Sequence, residues 1–184
     1  MKQAFGIFLL VLFYACNSGP STSDLQQPAA IDEQVELAAI MKVIEAETES
    51  FYKRDYESWK KNFVQKDYAF QAWNNDDGTV DVKSGWAEVD EKIGNYIKAN
   101  PLKAGESASH PKVERKNMKT HFFSPQLAYL YWDQYNSDGA MKIFTLSKDS
   151  RLMEKENGEW KILNVTSYWD YKNTITADSL LSIK

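Results

Sequence analysis

The sequence predicts an α+β domain in which about three N-terminal helices pack on the concave side of a cone-like, curved antiparallel sheet. Three observations predict it. Apart from one hairpin over Tyr68 to Val82, apolar residues recur at helical spacing up to Asn100, they alternate at strand spacing from Lys112 onward, and turn clusters separate the runs. Helices and strands are therefore segregated along the chain rather than interleaved, which places the helices on one face of a sheet whose strands follow one another.

Residues 1–15 read as a secretory signal. Lys2 supplies a positive start and Ala4 to Tyr14 an apolar run that is too short to span a bilayer, which takes about 20 such residues. Cys16, the one cysteine of the chain, closes it and is followed by Asn17-Ser18-Gly19-Pro20-Ser21-Thr22-Ser23. This order resembles the lipobox of a bacterial lipoprotein, with Phe13 where Leu is usual; the alternative is an ordinary signal peptide. The resemblance implies that Cys16 is lipidated and that acyl chains hold the exported protein to a membrane. Asn rather than Asp after the cysteine implies the outer membrane. Residues 16–30, rich in Ser, Thr, Gln and Pro without an apolar period, read as a flexible tether.

The domain is expected over 31–172. Asp32 is placed to cap a first helix, and Leu37, Ile40, Met41, Ile44, Thr48 and Phe51 form one stripe along it. A shorter helix is predicted from Tyr56 to Phe63, with Trp59 and Phe63 four apart. Tyr68 to Ala72 and Thr79 to Val82, joined by Asn74-Asn75-Asp76-Asp77-Gly78, form a hairpin. Ser84-Gly85 opens a third helix carrying Trp86, Val89, Ile93, Tyr96 and Ile97, and Asn100-Pro101 stops it. Strands follow over Val113 to Phe122, Gln126 to Tyr135, Met141 to Glu156 and Trp160 to Asp170. Asn157-Gly158 between the last two is the strongest short hairpin signal, because both turn positions need positive φ. Ser147-Lys148-Asp149-Ser150 suggests a bulge in the third of these strands. Residues 173–184 are a C-terminal tail that docks as a short helix or frays.

Composition narrows the function. Lys and Arg number 22 against 26 Asp and Glu, a net charge of -4 with no basic run, so nucleic acid is not an expected partner. One cysteine and two histidines exclude an internal disulfide and a Cys/His zinc cluster. With no Gly-rich phosphate loop and no nucleophile beside a base, neither cofactor nor metal is expected. Asn74 to Gly78 lacks the ligand spacing of a calcium loop and reads as a turn.

From Glu33 to Tyr171 the chain resembles the nuclear transport factor 2-like superfamily, the cone fold of SnoaL-like cyclases and ketosteroid isomerases. The resemblance rests on Arg151-Leu152-Met153-Glu154-Lys155-Glu156-Asn157-Gly158-Glu159-Trp160-Lys161-Ile162-Leu163-Asn164-Val165, similar to the family's penultimate hairpin, and on Ser84-Gly85-Trp86 before the third helix. It implies a cone whose open end holds a small ligand. In family enzymes an Asp or His inside the cone acts as base, with Tyr or a protonated Asp stabilising an oxyanion. The His usual in the final strand is not evident here; Thr166 and Ser167 occupy that stretch.

Alternation over Leu127 to Tyr135 puts Tyr129, Tyr131 and Asp133 on one face and Ala128, Leu130 and Trp132 on the other. If the first face is concave, Asp133 and His121 are the catalytic candidates and Tyr129 and Tyr131 contact ligand. If it is convex, they are solvated or lie in a homodimer contact, and Leu130 and Trp132 are core. Trp73, Trp86 and Trp169 fall at element ends where a cone opens and are further ligand-binding candidates; Asp81 could reach the same rim, and His110 sits in a loop before Pro111. Three functions fit: a membrane-anchored module binding a small apolar or aromatic ligand, a protein-interaction domain using the outer sheet face, and a lyase or isomerase working by proton transfer.

Overall fold

The computed structural model describes residues 31–105 and 111–183; the expected signal, Cys16, the tether and His110 lie outside them. Helix α1 (Glu33–Tyr52) begins where Asp32 accepts hydrogen bonds from the backbone N–H of Gln34 and Val35, both at 3.2 Å, with Glu33 and Glu36 in the first turn. Its stripe is the expected one: Ile40 and Ile44 are fully buried, with Leu37, Met41 and Phe51 packed beside them. Helix α2 (Tyr56–Lys60), capped by Asp55, is shorter than its apolar spacing suggested. Residues beyond Lys60 pair with the sheet instead: Ile162 donates to Asn62 O at 2.7 Å and Val64 donates to Ile162 O at 2.9 Å. Phe63 still reaches the core, where its ring lies 4.8 Å from Trp59.

Strands β1 (Phe70–Asn74) and β2 (Val80–Ser84) form the expected hairpin. The third helical segment runs as α3 (Trp86–Val89), a π-helical turn (Asp90–Gly94) and α4 (Asn95–Ala99). Burial, then the neighbouring Asp90 carboxylate, pushes the Tyr56 hydroxyl up to about 12. Gly94 is confined by the same two side chains. A Cβ on it would lie 2.0 Å from Asp90 Oδ1 and 2.9 Å from Tyr56 Cε2.

Strands β3 (Val113–Ser124), β4 (Leu127–Ser137), β5 (Ile143–Glu156) and β6 (Glu159–Thr176) form an antiparallel meander in a six-stranded open sheet of order β2-β1-β6-β5-β4-β3. Asn157 and Gly158 adopt φ +52° and +85°, the paired positive angles of a two-residue hairpin turn. One pairing departs from the antiparallel expectation: β1 lies parallel to β6, Phe70 opposite Asn164, so the sheet is mixed. The irregularities also fall elsewhere than expected. β5 pairs with β4 without interruption, whereas β6 carries extra residues at Leu163 and at Asp170–Asn173, and β3 is bulged at Asn117 and Met118 opposite Trp132. β6 also crosses the expected boundary at 172. It leads into α5 (Ala177–Ser182), whose Leu180 joins Tyr135 and Phe144 in a second small cluster.

The main core lies between the helices and the inner sheet face. Trp59, Leu130, Trp132, Met153 and Ile162 are each at most 1% exposed. Glu36 ties the start of α1 to the β5–β6 hairpin, accepting from Lys155 Nζ at 2.7 Å and from Trp160 Nε1 at 2.6 Å. Because Gly94 has no space for a methyl group, Gly94→Ala is expected to destabilise the fold by about 1–3 kcal/mol with secondary structure retained. Urea denaturation followed by circular dichroism checks it; a midpoint at or above that of the wild type would contradict the close approach.

Candidate functional site

Two adjoining hollows open beside α1, and Phe51 lines both. The larger is a groove of about 610 Å³ walled by Phe51, Trp73, Ile93 and Tyr96, with Lys92 at its margin. α1 and the π-turn region supply these rings: Phe51 and Tyr96 stack at 5.9 Å, and Arg54 lies 5.0 Å from each ring centre. The smaller is a recess of about 130 Å³ lined by Glu47, Tyr52, Arg115, Gln134, Arg151 and Trp169, among others.

Polar side chains reach this recess from the inner sheet face, where alternation along β5 aligns Ser147, Asp149 and Arg151. Asp149 is 3% exposed and accepts from Ser147 Oγ at 2.6 Å, Ser167 Oγ at 2.8 Å and Arg151 Nη1 at 3.2 Å. A relay of amides continues the network: Trp132 Nε1 donates to Gln134, Gln134 to Asn136, and Asn136 to Ser147. The guanidinium carbons of Arg151 and Arg115 lie 5.2 and 5.8 Å from the Trp132 ring centre. Burial, then the neighbouring Arg151 charge, lowers the Arg115 pKa.

Across from these, Glu47 of α1 accepts from Trp59 Nε1 at 3.2 Å and from Thr48 Oγ1 at 3.3 Å. Burial raises its carboxyl above the ordinary value of 4.5, and Arg151, Trp59, Thr48 and Arg115 offset that only in part. A carboxyl so held can carry a proton at a pH where exposed glutamates are ionised. The recess thus offers two cations, one acid whose pKa burial raises, and neutral amides between aromatic walls. Among the described residues no group of three or more acidic, His or Cys side chains is placed to hold a metal ion.

No protein-family model and no curated protein matches the chain. Solved structures do. An NTF2-like protein of Shewanella oneidensis superposes with a TM-score of 0.52 at 20% identity, over 72% of this chain and 98% of its own. One from Silicibacter pomeroyi gives 0.52 at 12% identity, over 76% and 99%, and one from Pseudomonas putida 0.52 at 11%, over 78% and 96%. The fold is that of the NTF2-like proteins.

Within this NTF2-like cone the sequence candidates separate. Trp73 lines the groove and Trp169 the recess. Trp86 does not reach the rim: it stacks on Trp59 at 5.7 Å and packs into the core. Tyr129, Tyr131 and Asp133 occupy the outer face, the second of the two arrangements alternation allowed. The physical reason is register: Ala128, Leu130 and Trp132, at most 1% exposed, meet the helices, and period two turns their neighbours outward. Asp133 pairs there with Lys148 and accepts from Asn117 Nδ2 at 2.7 Å. Burial raises its pKa, but these two donors outweigh that and hold it below the ordinary aspartate range, unlike a base in an apolar cone. His121, also outside, meets Phe123 edge-on at 4.8 Å. With Tyr129, Tyr131 and Tyr168 they make an exposed aromatic patch. Asp81 contacts Lys83, Lys92 and Asn75 near β2.

Glu47, Arg115, Arg151 and Asp149 escaped the sequence reading; the one available signal was charged residues in phase with Met153 on β5. The raised Glu47 pKa has a measurable sign. The fold binds this proton more tightly than the unfolded chain, so its contribution is full below about 4.5 and is lost as pH rises through the folded value. Glu47→Gln, which mimics the neutral form, is expected to flatten that loss, gaining stability relative to wild type between pH 5 and pH 8. Parallel urea-derived stabilities of the two proteins over this range would contradict the buried acid.

Proposed function

We propose that the protein is an exported, lipid-anchored NTF2-like domain that binds a small ligand with an apolar or aromatic body in its cone. The observation that carries this reading is the groove bordered by Phe51, Trp73, Ile93 and Tyr96. Its volume of about 610 Å³ is that of small-molecule sites, and its walls are mainly aromatic and aliphatic, with Lys92 and Asn95 beside them. Flat rings among the walls favour a flat ligand, which buries area on both faces with little entropy to lose. The anchor is supported by Cys16 and the segments around it: an apolar run of signal length before it and a polar tether after it.

A neutral aromatic probe tests the cone. 2-Naphthalenemethanol is expected to change the tryptophan fluorescence of the wild type saturably, and Trp73→Ala to weaken binding by tenfold or more, about 1.4 kcal/mol. Equal affinity in both proteins, or no saturable binding, would remove the reading. The anchor has its own test. Cys16→Ser is expected to move the protein from the membrane to the soluble fraction, and a labelled fatty acid that fails to mark the wild type would rule lipidation out.

A further inference from the structure

We propose that the recess at the inner end of the groove is a carboxylate subsite, in which Arg115 and Arg151 hold the anionic end of a ligand whose body lies against Phe51 and Trp73. This rests on the ligand-binding reading above and names the chemistry of its polar end.

The Arg151 side chain is 9% exposed and donates through Nη1 to Asp149 Oδ2 at 3.2 Å and Ser150 O at 2.9 Å. Its Nε is buried and has no partner among the described residues, and the same holds for Arg115 Nε. A buried donor left unmet is costly, so two of them side by side are a departure from ordinary packing. Arg115 has no carboxylate within ion-pair distance among the described residues; its guanidinium rests on Trp132. The fold thus gathers two guanidinium charges around one buried carboxylate, Asp149. Glu47 faces them without an ion pair among the described residues, and burial raises its pKa.

Geometry selects the ligand class. The unused edge of each guanidinium is a pair of parallel N–H donors, and a carboxylate presents two oxygens at matching separation. Both side chains line the recess. A recess of about 130 Å³ holds about four waters' volume, enough for a carboxylate and a carbon or two, so the rest of the ligand must extend into the groove past Phe51. Trp169 and Tyr52 flank the entry, and the Gln134 and Asn136 amides meet any remaining polar atom without adding charge.

The test compares two probes of one shape on the full-length protein at about 0.15 M salt, where long-range attraction is screened. 2-Naphthoate is expected to bind at least tenfold more tightly than 2-naphthalenemethanol. Arg115→Gln should reduce this preference to below about threefold while the alcohol binds as before, and Arg115→Lys, which keeps charge but loses the planar fork, should retain part of it. Lys148→Gln removes a cation on the outer sheet face, outside both hollows, and should leave the preference intact. Arg115 is varied rather than Arg151 because Asp149 does not depend on it; should Arg115→Gln lower the melting temperature by more than a few degrees, the Lys variant decides. Equal affinity for the two probes, a preference that survives Arg115→Gln undiminished (or, where that variant is destabilised, one that Arg115→Lys leaves at its full wild-type size), or one abolished by Lys148→Gln would overturn the subsite while leaving ligand binding itself standing. Failure of both probes to bind would remove both.

Discussion

The Asp149 carboxylate is the constraint around which the inner sheet face is arranged. It is almost sealed from solvent, and three donors from two strands satisfy it: Ser147 and Arg151 from β5, and Ser167 from β6. A carboxylate in that position without its cation would cost about 3–5 kcal/mol, so the register that brings these donors together is strongly favoured. Ser167 sits directly opposite Asp149, which locks β6 in place just before the extra residues Asp170–Asn173 carry it outward. Trp73 of β1 is in turn paired with Ser167, and Asn74 bonds the backbone of Trp169 in both directions, at 3.0 and 2.7 Å. The two tryptophans that border the hollows are thus positioned through a strand whose register the buried aspartate helps to set.

The cone is graded from end to end. Near the β5–β6 turn it is a dry core of Trp59, Trp132, Met153 and Ile162; further along, the same face turns polar at Asp149, Arg151 and Gln134; beyond α1 it opens to the aromatic groove. Trp132 belongs to two of these zones, since one ring both fills the core and underlies two guanidinium groups. Polar groups at the back of an apolar cavity fix a ligand's orientation more than its affinity, because each must exchange its existing partners for the ligand.

Elements whose signals are local were legible in the sequence. The cap at Asp32, the stripe on α1, the turn at Asn157-Gly158 and the order of four strands each depend on residues within a few positions of one another. The parallel pairing of β1 with β6 joins residues more than ninety positions apart and leaves no periodic trace. β4 shows why the site was hard to locate. Both of its faces are aromatic, Tyr129 and Tyr131 on one and Trp132 on the other, so alternation defines two faces without saying which meets the helices. Glu47 reads as one of several acids on α1 between Glu45 and Glu49, and Arg115 and Arg151 read as ordinary strand charges. Only the packing of α1 across the sheet tells them apart from solvated neighbours. The widened turn at Asp90–Gly94 is similar: a seamless helical period conceals it, and the requirement for glycine comes from the Asp90 carboxylate together with the Tyr56 ring, the latter far away in sequence.

The bulge at Asn117 and Met118 bears on a hazard every open sheet faces. β3 and β2 form the two margins, and an unpaired margin can template the addition of a strand from another molecule. β2 is only five residues long and alternates Asp81 and Lys83 with its valines. β3 is twelve residues long, a far better template, but Asn117 in a left-handed conformation breaks it into two short runs. Lys116, just before the break, is turned back to the carbonyls of Leu180 and Ile183, so α5 is fastened beside the margin. Such interruption would guard against the stacking of strands into fibrils, which a flat twelve-residue margin would invite.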